Sequence, residues 1–284
     1  MYNFPIGVII ESFRVDTRSA IIKASELGAD GIQMYATHGE NSPEELTGAK
    51  RRELLDFVTS HGLRFSALCG DFGKGFTNRE LNPTLIERSK KILDLAKDLG
   101  TDVVTTHIGS IPDDPEHERY KIMQEACVEL AAYADSIGSH FAIETGPETS
   151  RVLKVFLDGL NSRGVAVNLD PANLVMVTGD DPVEAVYNLK DYIVHTHAKD
   201  GIMLKRTNPA YTYGGEKKPD HLVGVPKFRE VPLGEGAVDF IGYLKALEDI
   251  GYKGFLTIER EVGDDPSADI LTAKNHLLKI IKGY

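Results

Sequence analysis

Two hydrophobic patterns alternate along the chain. Short, continuous apolar runs rich in β-branched residues read as buried strands. Longer stretches with apolar residues every third or fourth position read as amphipathic helices. The strand pattern recurs at 4–10 (FPIGVII), 31–36 (GIQMYA), 64–70 (RFSALCG), 102–109 (DVVTTHIG), 140–146 (HFAIETG), 165–170 (VAVNLD), 192–200 (YIVHTHAKD) and 254–260 (GFLTIER). Helices are predicted between them at 16–27, from Ser42 towards 62, and at 83–99, 117–137, 149–162, 182–190, 237–250 and 267–282. Asp16 or Thr17 is the expected N-cap of the first helix. Ser42, Pro43 and Glu45 together suggest a capping box with proline at the first helical position of the second.

Strands that alternate with helices imply parallel strands joined by helical crossovers. About eight such units, with no composition shift or linker between them, predict an α/β fold, a (β/α)8 TIM barrel, as a single domain over 1–284. A doubly wound open sheet is the alternative, and it would want a glycine-rich phosphate turn after the first strand. Here GVII is followed by ESFRVD, which has no such turn. The polar stretch at about 201–235 is long for a βα connection and is expected to be a lid or binding loop, or else a solvated flap or subunit contact.

Composition narrows the function classes. A net charge of −11 argues against a nucleic-acid partner and against an anionic membrane surface. Cys69 and Cys127 lie far apart, which fits reduced thiols rather than a disulfide frame. The N-terminus MYNFPIGVII has neither a positive leader region nor a cleavage site, and no apolar run approaches a membrane span. Cytoplasm is the expected location.

Chemistry in such a barrel lies at the C-terminal ends of the strands. Five predicted strands end on a metal-capable side chain: His107 (TTHIG), Glu144 (AIETG), Asp170 (VNLDPAN), the pair His195 and His197 (HTHAKD), and Glu259 (LTIER). Residues two apart on a strand share a face, so His195 and His197 point the same way. Taken singly, each has a plain structural reading: a histidine bonded in the core, or an aspartate capping the next helix. Taken together, several carboxylates at one barrel mouth would repel unless a cation joined them. Carboxylates with one imidazole suit Mn²⁺ or Mg²⁺, with Co²⁺ or Zn²⁺ as alternatives. Glu11, Gln33, Asp71 and Glu261 sit near strand ends and rank below this set.

The segments AIETG, NLDPANL, HTHAKDG, PLGEGAVDF and LTIERE, in this order, resemble the xylose isomerase-like TIM-barrel superfamily. Within it they resemble the sugar phosphate isomerase/epimerase group that includes ketose 3-epimerases and inosose dehydratases. The resemblance covers nearly the whole chain. It implies one divalent ion, Mn²⁺ first, held by Glu144, Asp170, His197 and Glu259. His197 is preferred to His195 because the family's ligand is the second histidine of H-x-H. Glu144 and Glu259 would double as acid and base, moving a proton through an enediolate that the cation stabilises. His107, His195, Lys199, Glu148 and Arg206 are the expected substrate contacts. Asn173 stands where ketose 3-epimerases of the group often have histidine. The implied substrate is a small sugar or sugar phosphate, and a homodimer or homotetramer is expected. The implied activity is isomerisation or epimerisation; a keto-sugar or inosose dehydratase, or a non-catalytic sugar-binding barrel, are the competing functions.

Overall fold

The first strand of the chain pairs with the last, and that pairing closes the sheet. In the computed structural model, which describes residues 2–213 and 216–283, the strands are β1 (Ile6–Ile9), β2 (Gly31–Tyr35), β3 (Arg64–Cys69), β4 (Val103–Thr106), β5 (His140–Glu144), β6 (Val165–Leu169), β7 (Ile193–Ala198), β8 (Asp200–Met203), β9 (Phe228–Val231) and β10 (Leu256–Ile258). Eight of them form a closed parallel barrel in the order β1-β10-β7-β6-β5-β4-β3-β2. Ile6 lies beside Leu256 and Val8 beside Ile258 at the seam. This is the predicted (β/α)8 barrel.

The helices are α1 (Thr17–Glu26), α2 (Gly48–Ser60), α3 (Asn82–Asp98), α4 (Glu118–Ile137), α5 (Ser150–Asp158), α6 (Pro171–Asn173), α7 (Pro182–Leu189), α8 (Ala210–Tyr213), α9 (Phe240–Asp249) and α10 (Pro266–Lys282). Most start on a side chain that accepts a backbone N–H: Asp16, Thr149, Asp181, Asp239 and Asp265 all do so. One buried cluster joins strand residues such as Phe141, Ile143 and Val167 to helix residues such as Leu93, Leu130, Leu157 and Leu244. None of the described helices is long and apolar enough to cross a membrane.

Three expectations need correction. The second helix does not start at Ser42, and there is no capping box there. Ser42 Oγ donates to the Gly39 carbonyl instead, and its own carbonyl closes a single turn with Glu45 and Leu46. The chain then extends at Thr47 before α2 begins at Gly48, and Leu46 is buried on the way. Second, α5 stops at Asp158, short of 162, because Gly159 follows and Asn161 turns left-handed at φ 49°. Third, the 201–235 stretch is not a plain loop. β8 pairs antiparallel with β9, Gly201 opposite Glu230. Gly214 and Gly215 of that stretch lie outside the described residues. The hairpin's base is pinned by buried Asp200, whose carboxylate accepts N–H groups from Gly201, Gly234, Gly236 and Val238 at 2.8–3.2 Å.

Two irregularities in the barrel register fall between Ile32 and Gln33 and between Val167 and Asn168. Such slips re-aim a side chain. Both put an amide, Gln33 and Asn168, into the polar interior of the barrel, where each meets a histidine of β7.

Candidate metal centre

Glu144 ends β5, Asp170 follows β6, His197 lies on β7 and Glu259 follows β10, so four neighbouring strands each deliver one side chain to the same mouth. All four are buried, and one ligand atom from each lies within 4.8 Å of the others. From His197 Nδ1 the distances are 3.3 Å to Glu259 Oε2, 3.6 Å to Asp170 Oδ2 and 3.7 Å to Glu144 Oε2.

The surroundings orient each group. Gln33 Nε2 donates to Thr105 Oγ1 at 3.1 Å, which leaves Gln33 Oε1 to accept from His197 Nε2–H at 3.1 Å. The His197 Nδ1 lone pair therefore faces the three carboxylates, the arrangement in which an outer partner fixes the tautomer of a ligating histidine. Asp170 has two jobs at once. Its Oδ1 caps α6 by accepting from Asn173 N–H at 2.9 Å, while its Oδ2 is buried with no hydrogen-bond partner. An orphaned carboxylate oxygen is costly unless something cationic meets it. Glu144 accepts from Asn173 Nδ2 at 2.8 Å and from Asn168 Nδ2 at 3.2 Å. Gly146, at φ 136°, passes so close to Asn173 that an added Cβ would lie 2.5 Å from Asn173 Cβ. Glu259 accepts from Lys199 Nζ at 3.1 Å, and Lys199 also reaches Glu261 at 2.6 Å.

Charge in this pocket is strongly coupled. Burial would raise the Glu259 carboxyl, but the Lys199 ammonium and His197 beside it hold it well below the usual carboxylate range. Burial likewise opposes ionisation of Glu144, and His107 and His197 bring it down. Asp170, the most enclosed of the three, is raised by burial in spite of His197 and Lys199. Burial disfavours a charged His197, yet Glu144 and Glu259 lift its pKa well above the ordinary imidazole value. The three carboxylates thus favour a proton on His197 Nδ1, in the place where a cation would otherwise meet its lone pair. A divalent cation would satisfy all four groups and the orphaned Asp170 oxygen together, so the donor set fits a hard or borderline ion.

The expected substrate contacts separate into three groups. His195 is not at the mouth. It lies one layer deeper, where Nδ1–H donates to Asn168 Oδ1 at 2.9 Å and Nε2 accepts from Thr257 Oγ1 at 2.9 Å. Both nitrogens are satisfied, and burial with His197 nearby keeps the ring neutral, so the substrate-contact role expected of His195 is withdrawn. His107 and Lys199 do belong to the mouth. His107 Nδ1 bonds Asp71 at 3.1 Å, and its unpartnered Nε2 lies 3.6 Å from Glu144. Burial would lower the His107 pKa, but Glu144 and the bonded Asp71 push it up to about 9. Glu148 and Arg206 line a neighbouring cleft that none of the four cluster residues lines.

Several residues at the site carried little or no sequence signal. Asn168 shares the parity of Asp170 and could have been found from that alone. Asn173 stood out only as a departure from histidine, and it supports Glu144. Tyr213, on α8, stacks on His107 with ring centroids 5.2 Å apart. It comes from the inserted stretch, where no periodic pattern marks it.

Comparison with known proteins agrees with this fold. The chain is 24% identical over 266 residues to the L-ribulose-5-phosphate 3-epimerase UlaE of Escherichia coli K12, covering 89% of this chain and 85% of that one. It is 28% identical over 154 residues to the inosose dehydratase of Clostridium perfringens strain 13, covering 53% of this chain and 49% of the relative. The crystal structure of a xylose isomerase domain protein from Planctomyces limnophilus superimposes with a TM-score of 0.80 at 25% identity, covering 99% of this chain and 98% of that one. The model of one family, described as the xylose isomerase-like TIM barrel, matches residues 21–280. With the barrel closed and the chain matched over nearly its whole length, this protein belongs to the xylose isomerase-like TIM-barrel family.

Proposed function

We propose that the protein is a divalent-metal-dependent isomerase or epimerase of a small sugar or sugar phosphate. The observation that carries this reading is the convergence of Glu144, Asp170, His197 and Glu259 on one point, with an Asp170 oxygen left unpaired. An ion held there, Mn²⁺ first by the donor chemistry, would polarise a sugar carbonyl and offset the negative charge that develops when the neighbouring carbon loses its proton.

The chain's own residues supply the proton transfers. The four cluster residues come from consecutive strands in the order β5, β6, β7, β10, so Glu144 and Glu259 stand at the two ends of the arc. A sugar carbon between them has one carboxylate on each side. Glu259, kept ionised by Lys199 and His197 against its burial, is in the form that can accept a proton. Return of that proton from Glu259 to the adjacent carbon gives an aldose–ketose isomer; if Glu144 enters the cycle protonated, its delivery of that proton to the opposite face of the same carbon gives an epimer and leaves the abstracted proton on Glu259. His107, fixed by Asp71, stands beside Glu144 to contact a sugar hydroxyl. The likeness to UlaE supports the epimerase outcome, and the partial likeness to inosose dehydratase supports a lyase as the second reading, in which a β-hydroxyl leaves from the same intermediate.

The test is deuterium wash-in. Protein loaded with Mn²⁺ is incubated with a panel of ketoses and ketose phosphates in D₂O, and the products are read by NMR and mass. Deuterium at one carbon in a product of otherwise unchanged composition supports isomerisation or epimerisation, and loss of water supports the lyase. A metal-loaded protein that exchanges no carbon-bound hydrogen in any of these compounds refutes both.

A further inference from the structure

The cleft beside the barrel mouth has a composition of its own. It has a volume of about 340 Å³ and lies among the loops that follow β4, β5 and β6 and the start of the inserted stretch. Arg119 and Arg206 enter it from opposite sides in sequence, one at the first turn of α4 and the other from the insertion. Arg119 is oriented by donating Nε–H to the Ser110 carbonyl at 3.1 Å. Among the described residues, no carboxylate lies within ion-pair distance of either guanidinium. In a protein of net charge −11, two arginines facing one cleft without acidic partners call for an anion from outside.

The cleft floor adds a second observation. Glu148 is 5% exposed, takes one hydrogen bond from Ile111 N–H at 3.3 Å, and has its other oxygen buried without a partner. Burial pushes its carboxyl up to about 8, so near neutrality it stands as an acid able to donate rather than as a repelling carboxylate. Thr149 adds a hydroxyl, the Thr178 hydroxyl is taken by the Leu174 carbonyl, and exposed Asp113 is the one opposing charge in the lining. Donors approaching from several directions suit the oxygens of a phosphoryl group better than the two coplanar oxygens of a carboxylate. Glu148 follows Glu144 by four residues, so the cleft and the proposed reaction centre are at most about 14 Å apart along the backbone at this point.

We propose that this cleft is the subsite for the phosphoryl group of a phosphorylated ketose, with Arg119 and Arg206 as its cationic clamp and the buried Glu148 beside them in the lining. This rests on the sugar-isomerase reading for its substrate, but the anion site can be tested without turnover. The whole protein is titrated with inorganic phosphate by calorimetry, as wild type, Arg119→Gln and Arg206→Gln. Exposed Arg206 serves as the second variant in case Arg119→Gln fails to fold. Binding that weakens by about tenfold or more in either folded variant supports the subsite. Kinetics then separate the sources of the anion. The variants should raise KM for a ketose phosphate by about tenfold, and for the unphosphorylated ketose by less than about threefold. Phosphate binding that does not occur, or is indifferent to both substitutions, overturns the proposal, as does a preference for a carboxylated over a phosphorylated ketose. Arginine-dependent phosphate binding in a protein that turns over no sugar would uphold the subsite while removing the isomerase reading.

Discussion

Two layers of the barrel interior carry the same residue type to opposite ends. His195 and His197 lie on one face of β7, two residues apart, both buried. In the lower layer both ring nitrogens of His195 are satisfied, one by Asn168 and the other by Thr257, and the ring is neutral. In the upper layer His197 faces three carboxylates, one with an orphaned oxygen, and the polar groups do not balance among themselves. Burial is alike in the two layers. What separates a structural histidine from a candidate ligand is whether its partners close the hydrogen-bond account without help. Asn168 joins the layers, holding His195 with its oxygen and Glu144 with its nitrogen.

Substitutions can break this contrast. The largest effect is expected in the upper layer. Asp170→Asn or Glu259→Gln should weaken Mn²⁺ binding beyond the roughly 10–100-fold typical of outer-shell changes, and abolish deuterium wash-in, with little loss of folding stability. Equilibrium dialysis and NMR check both. In the lower layer His195→Phe strands the Asn168 and Thr257 partners, and should cost about 2–4 kcal/mol in urea unfolding while the protein still takes up metal. If His195→Phe instead removed the metal and spared stability, the division between the layers would be wrong.

The contrast was only partly legible in the sequence. Metal-capable residues at strand ends marked His107, Glu144, Asp170, the pair His195 and His197, and Glu259 as candidates, and only the family resemblance narrowed them to Glu144, Asp170, His197 and Glu259. Strand parity could not tell His195 from His197, since both point inward and only the depth of the layer differs. That depth depends on register, and the register slips at Asn168. The start of α2 was misread because SPEE has the local chemistry of a cap. The fold uses it for one turn and restarts the helix where Leu54 and Val58 can be buried. The β8–β9 hairpin was hidden because its strands are short and lie far apart in the chain, and Tyr213 between them matters only through a tertiary contact with His107.

Smaller effects sharpen the picture. Gln33→Leu removes the acceptor that turns the His197 Nδ1 lone pair to the mouth, and should weaken Mn²⁺ binding by roughly 10–100-fold without unfolding the barrel. Glu148 extends the comparison to the cleft, as another buried carboxylate with an unmet oxygen. The folded chain keeps its proton up to about pH 8 because burial raises the carboxyl, whereas the unfolded chain releases it near pH 4. Its contribution to stability therefore falls as pH rises through that window. Glu148→Gln should be more stable than wild type by on the order of 2 kcal/mol at pH 9 and nearly equal to it at pH 4, as read by urea midpoints at the two pH values.

Metal content after stripping with chelator and reloading with Mn²⁺ tests the central claim most directly, measured side by side on wild type, His197→Gln and His195→Gln. The upper layer as described predicts a single tightly held ion in wild type and in His195→Gln, and its loss in His197→Gln. A wild-type protein that takes up no ion, or one whose ion survives His197→Gln, would contradict the account.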